Sequence, residues 1–323
     1  MFLRKNVALM ALGILACATT AVIIVTPAGV AAQEVSAEDA VAYGAWRAAS
    51  EAKDIPKAVT AAEAYLKAFP SGGYAEYLQK WLAQAQLSAL DEAIKAKDMD
   101  RMIATGRPMV ARDPENVNVL YALASNLRQR ELLASPAKFD HAQDAKEFAQ
   151  KTIALVEGGK TLTGVASFDK NATLAWLYQS LALVEAKGGN PKEAIKLYEK
   201  SSALSPDDVT IKGRNLLNTI TILQGSYAAA AIAFNALPEA ERAAAEPSDA
   251  LKAAREALNG AGDAVIDAAA TFVAFGKAKN LPAATVDRVS QLLETTYKGR
   301  HPEDAALDGL KKILADKGAP AGA

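Results

Sequence analysis

Residues 172–208 decide the fold; they read ATLAWLYQSLALVEAK (172–187), GGNP (188–191) and KEAIKLYEKSSALSPDD (192–208). Apolar residues recur at every third or fourth position on both sides of the GGNP sequence, which is the pattern of an amphipathic helix. The Gly-Gly-Asn-Pro sequence interrupts a helix, and Pro206 disfavours a helical conformation in the residue before it. The stretch therefore predicts two helices that are joined by a short turn, with the second helix ending before Pro206.

The spacing of small and large residues predicts how these two helices pack. With Ala175 as position 1 of a unit of about 34 residues, the positions that matter are Tyr178 at 4, Leu181 at 7, Ala182 at 8, Gly189 at 15, Ala194 at 20, Tyr198 at 24, Ser201 at 27 and Pro206 at 32. Small residues at 8, 20 and 27 allow the helices to approach closely, while large residues at 4, 7 and 24 fill the space beside them. This spacing resembles the tetratricopeptide repeat (TPR), whose helical hairpins stack into a right-handed solenoid. Ser201 departs from the usual Ala but is still small.

Further units of the same plan surround this stretch, at residues 35–73, 74–114, 117–159 and 211–246. We expect Ser36 to cap the first helix of the chain. Turns between paired helices are expected at 53–56, 97–100 and 225–227, and second helices are expected to end at Pro70, Pro114 and Pro238.

These surrounding units match the repeat only approximately. Tyr65, Leu90, Met102 and Asn218 all stand at positions where the repeat prefers a small residue. The resemblance therefore covers roughly 36–246 but is specific only at 172–208. A polar loop at 158–171 precedes the clear unit and is the expected internal discontinuity.

Residues 247–317 remain helical in pattern but lose the repeat spacing. Residues 259–262, Asn-Gly-Ala-Gly, are expected to divide one helix from the next. A solenoid needs a terminal unit with a polar outer face, and this segment suits that role. The expected fold is all-α, a right-handed superhelical TPR-like solenoid of about five helical hairpins with a C-terminal helical cap. The expected organisation is a targeting segment (1–32), degenerate repeats (33–159), repeats (160–246), the cap (247–317) and a disordered tail (318–323).

Composition supports packed helices and argues against nucleic-acid binding. Hydrophobic residues make up 51% of the chain but aromatic residues only 6%, so Ala and Leu supply most of the apolar count, as in helical rather than sheet proteins. The chain has 36 basic and 37 acidic residues. A nucleic-acid surface would need a basic excess on one face, so we expect no nucleic-acid partner.

The first 32 residues read as an export signal. Arg4 and Lys5 precede an apolar run at 7–25, and Val-Ala-Ala at 30–32 offers small residues for cleavage before Gln33. The run is close to membrane-spanning length, so an uncleaved N-terminal anchor is the alternative, and it would be the chain's only membrane contact. In a bacterium either reading places residues 33–323 in the periplasm, and the second reading tethers them to the inner membrane.

No sequence motif indicates catalysis or a cofactor. Cys17, within the apolar run, is the only cysteine, so neither a disulfide framework nor a thiolate metal site can form. The two histidines, His141 and His301, are far apart in sequence and are interpreted as surface or helix-end residues. Residues 158–161, Gly-Gly-Lys-Thr, resemble the end of a phosphate loop but lack its earlier glycine and its preceding strand. We expect no metal site, no cofactor and no catalytic residue.

The resemblance to TPR proteins implies a candidate binding groove, because positions 2, 5, 9 and 12 of each first helix face the concave side in that family. Three units supply these positions. They are Asn118, Tyr121, Ser125 and Arg128; Trp176, Gln179, Leu183 and Ala186; and Lys212, Asn215, Thr219 and Ile222. Asn, Gln and Thr with one Arg and one Lys suit a peptide backbone or a carboxylate, and Trp176 would be an aromatic anchor. The alternative is that Trp176 packs under the loop at 158–171 and the polar residues face water.

These expectations converge on a non-catalytic scaffold in the cell envelope that binds a protein or peptide in its concave groove. The alternative is a membrane-anchored structural subunit of an envelope or secretion assembly. An enzyme is a third possibility that no group of residues supports.

We expect the exported chain to begin at Gln33 and to be soluble, because Thr-Pro-Ala-Gly at 26–29 breaks the apolar run just before the cleavage site. Intact-mass measurement of the protein recovered from the producing cell tests this expectation. A mass that retains residues 1–32, found in the membrane fraction, would instead establish the anchored alternative.

Overall fold

The computed structural model describes residues 35–164, 167–243 and 245–318, and it divides into two compact units, Met1–Phe168 and Asp169–Ala323. All regular structure in the described residues is helical, with no strand. The predicted targeting segment (1–32) and the tail beyond Gly318 lie outside these residues. The boundary between the units falls within the 158–171 stretch.

The first unit holds six α-helices that pack in sequence-adjacent pairs. They are α1 (Ala37–Glu51), α2 (Ile55–Ala68), α3 (Ala75–Ala96), α4 (Met99–Arg112), α5 (Val117–Leu127) and α6 (Ala142–Glu157), and a π-helical turn, Arg128–Leu132, extends α5. Successive pairs approach closely as well. A Cβ atom added to Gly106 in α4 would lie 2.6 Å from a methyl carbon of Leu123 in α5, so only glycine fits there.

The second unit begins with the pair predicted from the deciding stretch and continues with longer helices. It contains α7 (Lys170–Lys187), α8 (Pro191–Leu204), α9 (Val209–Asn235), α10 (Glu239–Arg242), α11 (Asp249–Ala278), α12 (Ala283–Arg300) and α13 (Asp308–Asp316). Helix α7 packs on α8, and α11 packs along α9, α12 and α13. Ile220 of α9 shares a core with Phe272, Leu293 and Leu310, so α9 joins the helices that the sequence assigned to a separate cap.

One turn geometry recurs where a first helix meets its partner. Lys53, Lys97 and Gly189 adopt left-handed backbone conformations, with φ of 57°, 61° and 80°. The next residue in each case donates its backbone N–H to the carbonyl five residues earlier: Asp54 to Ala49, Asp98 to Ala93 and Asn190 to Glu185, at 2.9–3.0 Å. This is the Schellman closure of a helix end. Asp54 and Asp98 then cap the second helix with their side chains.

The ends of the second helices confirm the prediction made from proline. Phe69, Asp113 and Ser205, the residues after α2, α4 and α8, share φ between −135° and −129° and ψ between 65° and 84°. Each precedes a proline, which excludes the helical region for that residue. The expected cap of α1 is confirmed too, because the Ser36 hydroxyl accepts the Asp39 N–H at 3.1 Å.

The register of the clear unit is confirmed by burial. Ala182, Ala194 and Ser201, the small residues at 8, 20 and 27, are all 0% exposed. The Ser201 hydroxyl donates to the carbonyl of Ala175 at 2.7 Å, so serine at this position adds a hydrogen bond between α7 and α8. The large residue Tyr198 is buried beside them.

The first unit accommodates a large residue, Tyr65, where a small one was expected. Tyr65 is 1% exposed, and its hydroxyl hydrogen-bonds to the carboxylate of Asp39 in α1. Asp39 also accepts the Gly73 N–H at 2.9 Å. Burial, together with the hydrogen bond to Asp39, raises the pKa of Tyr65 to about 12. A buried polar network thus ties the two helices and the following turn together.

Two expected turns are wrong. Helix α9 runs unbroken through 225–227, and α11 runs unbroken through 259–262. A single glycine inside a helix costs only about 1 kcal/mol, which packing between α9 and α11 offsets. Gly262 is a packing glycine, since an added Cβ would lie 2.9 Å from Arg300 and 3.2 Å from Tyr227. The expected fifth hairpin at 211–246 is therefore one long helix, and the expected hairpins that are present in the described chain are α1/α2, α3/α4, α5/α6 and α7/α8.

We expect Ala194→Leu to destabilise the second unit far more than Lys196→Leu. Ala194 lies at the contact of α7 and α8, where overpacking costs about 1–3 kcal/mol, whereas Lys196 is exposed. Thermal unfolding followed by circular dichroism measures both variants. Equal midpoints would contradict the register.

Candidate functional site

The predicted groove residues of the first unit lie on α5 and the turn that follows it. Asn118 is not open to a partner, because its side chain pairs with Thr163 in the loop after α6, accepting the Thr163 N–H at 2.9 Å and donating to its hydroxyl at 2.7 Å. Lys160 of the same loop forms an ion pair with Glu115 at 2.7 Å. The chain's own loop therefore covers the start of the predicted stripe.

Tyr121 and Arg128 lie further along the same stripe. Both are partly buried, and burial raises the pKa of Tyr121 while the positive charge of Arg128 opposes that rise. Ser125 turns its hydroxyl back to the carbonyl of Ala122 at 3.2 Å. These residues form a half-buried polar surface on α5 that has no catalytic geometry.

In the second unit, the structure contradicts the prediction that Gln179 and Asn215 face an open groove. Both are 1% exposed. Gln179 donates to the side-chain oxygen of Asn215 at 2.5 Å, and the Asn215 amide donates to Ser201 at 2.9 Å and to Ser202 at 3.1 Å. Position 5 of neighbouring first helices therefore meets inside the protein, where a partner cannot reach.

The apolar members of the predicted stripe are also turned inward. Leu183, Ala186 and Ile222 pack against the buried cluster of Ala182, Ala194 and Tyr198. A hydrophobic residue at these positions gains more from burial between helices than from exposure on a groove wall.

Outside that cluster, three further predicted residues of the second unit are partly exposed: Trp176, Lys212 and Thr219. The ammonium of Lys212 lies 5.2 Å from the ring centroid of Phe275 in α11, a cation–π distance. Trp176 is half-buried on the N-terminal half of α7. The accessible part of the predicted site is thus an aromatic ring, a lysine held by α11 and a threonine.

A cluster that the sequence reasoning missed surrounds His141 in the first unit. His141 was expected to be a surface or helix-end residue; it does lie at the N-terminal end of α6, but only 20% of its side chain is exposed. Its Nδ1 bonds to the carboxylate of Glu131, which is buried, and its Nε2 lies 2.9 Å from Asp100 Oδ1. Glu131 also accepts the His141 backbone N–H at 3.0 Å. The sequence offered little signal, since these residues are separated by 10 and 41 positions.

The electrostatics of this cluster favour the charged imidazole. Burial alone would lower the pKa of His141, but the hydrogen bonds that its ring donates to Glu131 and Asp100 outweigh burial and raise that pKa above 6.5. The cluster borders an open cleft of about 610 Å³. None of the residues that line the cleft is Ser, Thr or Cys, so the imidazole has no hydroxyl or thiol there to activate.

The first unit also contains an aromatic cluster, which packs into its core. Tyr43, Trp46, Tyr74, Tyr77 and Trp81 form an aromatic cluster on α1 and α3, and the Trp46 ring meets Tyr77 and Trp81 edge-on at 5.4 and 5.3 Å. Trp46 is 5% exposed, so the cluster belongs to the core. Over the residues described, no group of three or more His, Cys, Asp or Glu side chains is placed to hold a metal ion.

Helix α9 is the one helix among the described residues that is long and apolar enough to cross a membrane by length and composition alone. Its mean hydropathy over 18 residues is 1.3, and 6% of that window is buried. One such helix is weak support for a membrane span, and α9 packs along α11.

No protein-family model matches this chain, and no curated protein matches it.

We expect Asn215→Ala to destabilise the second unit by about 1–3 kcal/mol, because it leaves buried partners such as Gln179 without a hydrogen bond. Thr219→Ala, one turn further along α9 and partly exposed, is the matched control and should cost at most about 0.5 kcal/mol. Chemical unfolding followed by circular dichroism provides the comparison. If Asn215→Ala were as stable as the control, the buried network would not support the structure.

Proposed function

We propose that this protein is a non-catalytic, TPR-like helical scaffold of the cell envelope that binds a protein or peptide partner. The observation that carries the proposal is the recurring turn of α1/α2, α3/α4 and α7/α8, in which a left-handed residue is followed by an Asp or Asn that closes the first helix. The three hairpins share one turn geometry, and their second helices all end in the same backbone conformation. A repeated structural unit produces such a recurrence. The right-handed solenoid is part of this proposal.

A partner-binding role suits such a scaffold because stacked hairpins present first-helix side chains on an extended surface. The surface we propose lies on the second unit and consists of Trp176, Lys212 and Thr219. Trp176 lies on α7 and the other two on α9, which packs on α7; an aromatic ring, a cation and a hydroxyl on neighbouring helices suit an extended segment that carries an apolar side chain and some negative charge. Gln179 and Asn215 do not contact the partner in this proposal; their buried hydrogen bond joins the two helices, α7 and α9, that carry the surface.

The export reading is part of the same proposal and rests on the order of charge, apolar run and small residues at 1–32. A second candidate, a membrane-anchored structural subunit, is favoured by the length of that apolar run, 7–25, which is close to what a membrane span requires. Both candidates share the scaffold and differ in whether the N-terminal segment stays attached.

We expect Trp176→Ala to weaken partner binding by about 2 kcal/mol or more, because truncating an aromatic anchor removes much of the binding energy at an interface. The partner would first be captured from envelope extract on the wild-type protein and identified by mass spectrometry. Its affinity would then be measured by titration calorimetry with purified proteins.

Trp81→Ala is the matched control, since it truncates a partly buried tryptophan of the first unit. It should leave affinity unchanged once circular dichroism has shown both variants to be folded. Wild-type affinity in Trp176→Ala would remove α7 as the binding surface.

A further inference from the structure

The imidazole of His141 bridges two carboxylates that belong to different parts of the first unit. Its Nδ1 faces Glu131 Oε1 in the π-helical turn, and its Nε2 lies 2.9 Å from Asp100 Oδ1 near the start of α4. A carboxylate is only an acceptor, so each contact needs an N–H on the ring. Only the doubly protonated imidazolium can donate both hydrogen bonds at once.

Glu131 closes the loop that leads to His141. Its backbone carbonyl accepts the N–H of Lys138 at 2.9 Å and that of Ala134 at 3.2 Å. Its carboxylate accepts both the backbone N–H and the ring Nδ1–H of His141. Residues 132–140 therefore form a closed loop, and the bond from His141 to Asp100 links this loop to α4.

We propose that His141 is a proton-dependent latch, which fastens the 132–140 loop to α4 while its ring carries two protons and releases Asp100 when the ring loses one. The order of release follows from burial. Glu131 has a side chain 6% exposed, whereas the Asp100 side chain is 91% exposed. Glu131 Oε2 keeps the His141 backbone N–H, but Oε1 would be left without a donor if Nδ1 lost its proton, and a buried oxygen without a donor is costly, so the remaining proton stays on Nδ1. The Nε2 lone pair then faces Asp100, and water can take over that carboxylate's hydrogen bonds.

Other charged residues also line the cleft, but Glu131 and Asp100 are the ones that raise the pKa of His141. The other charged residues that line the cleft are Lys97 and Asp98 from the turn before α4, Arg130 from the π-helical turn, and Lys138 and Asp140 from the loop. They are three cations and two anions. Asp98 is in addition occupied by the Arg101 N–H at 2.9 Å.

The direction of the pH effect follows from the raised pKa of His141. A group whose pKa is higher in the folded than in the unfolded chain contributes stability that is fully present below its unfolded pKa, near 6.5. That contribution is lost as pH rises through the folded pKa. The latch is therefore closed in mildly acidic solution and opens when the pH rises above the pKa of His141 in the folded chain.

Nitrogen-detected NMR of the full chain tests the latch directly. His301→Gln, in the second unit, leaves His141 as the only histidine and makes assignment unambiguous. We expect both ring nitrogens to be protonated at pH 6, and the neutral ring at high pH to be the Nδ1–H tautomer. A neutral ring at pH 6, or an Nε2–H tautomer after deprotonation, would overturn the proposal.

Amide hydrogen exchange followed by mass spectrometry gives the structural readout. After correction for the intrinsic pH dependence of exchange, the 132–140 segment should exchange about tenfold faster once His141 is neutral. The turn at 188–190 between α7 and α8, which contains no histidine, should show no such step.

Asp100→Asn provides the variant, because it keeps the Glu131 partner and so preserves the loop. It should lower the pKa of His141 and move the exchange step to lower pH. A step at the wild-type pH in Asp100→Asn would refute the role of Asp100. If the corrected exchange rate of residues 132–140 did not change with pH in the wild-type protein, the latch itself would be refuted.

Discussion

The structure depends on a close contact between the two helices of each pair. Three positions of the α7–α8 contact hold only small residues, Ala182, Ala194 and Ser201, which have no exposed surface. Because these residues are small, the two helices can pack closely along their contact, and water is excluded from it. This close packing also fixes the rotation of each helix about its own axis. The sequence spacing between any other residue and these small positions then determines whether that residue faces the core or the surface.

Turn and end geometry could be predicted because local sequence determines it. Pro70, Pro114 and Pro206 restrict the residues before them whatever lies nearby, and the Lys-Asp and Gly-Asn pairs at the turns combine a left-handed position with a cap. Gly225 and Gly262 were misread because a glycine signals a turn only where packing does not already hold the helix. For Gly262 the deciding neighbours, Arg300 and Tyr227, are remote in sequence.

The polar residues of the candidate site show what sequence periodicity alone does not predict. A stripe position tells which side of a helix a residue occupies, but it does not tell whether a neighbouring helix covers that side. Asn215 hydrogen-bonds to Gln179 and to Ser201, so two residues that look suited to a peptide backbone serve each other instead. His141 was missed for a related reason, because its partners Glu131 and Asp100 come from a non-repeating turn and from another hairpin.

The long helix α9 has its buried residues at one end only. Ile211, Gly213, Asn215 and Ile220 are buried, whereas none is buried from Thr221 to Asn235, although this half spans about 20 Å at the usual rise per residue. Local unfolding needs the least free energy where few apolar contacts are lost. Helix α9 should therefore fray from its C-terminal end inward, and opening should stop at the buried amide network, so that a single helix carries a gradient from mobile to rigid along its length.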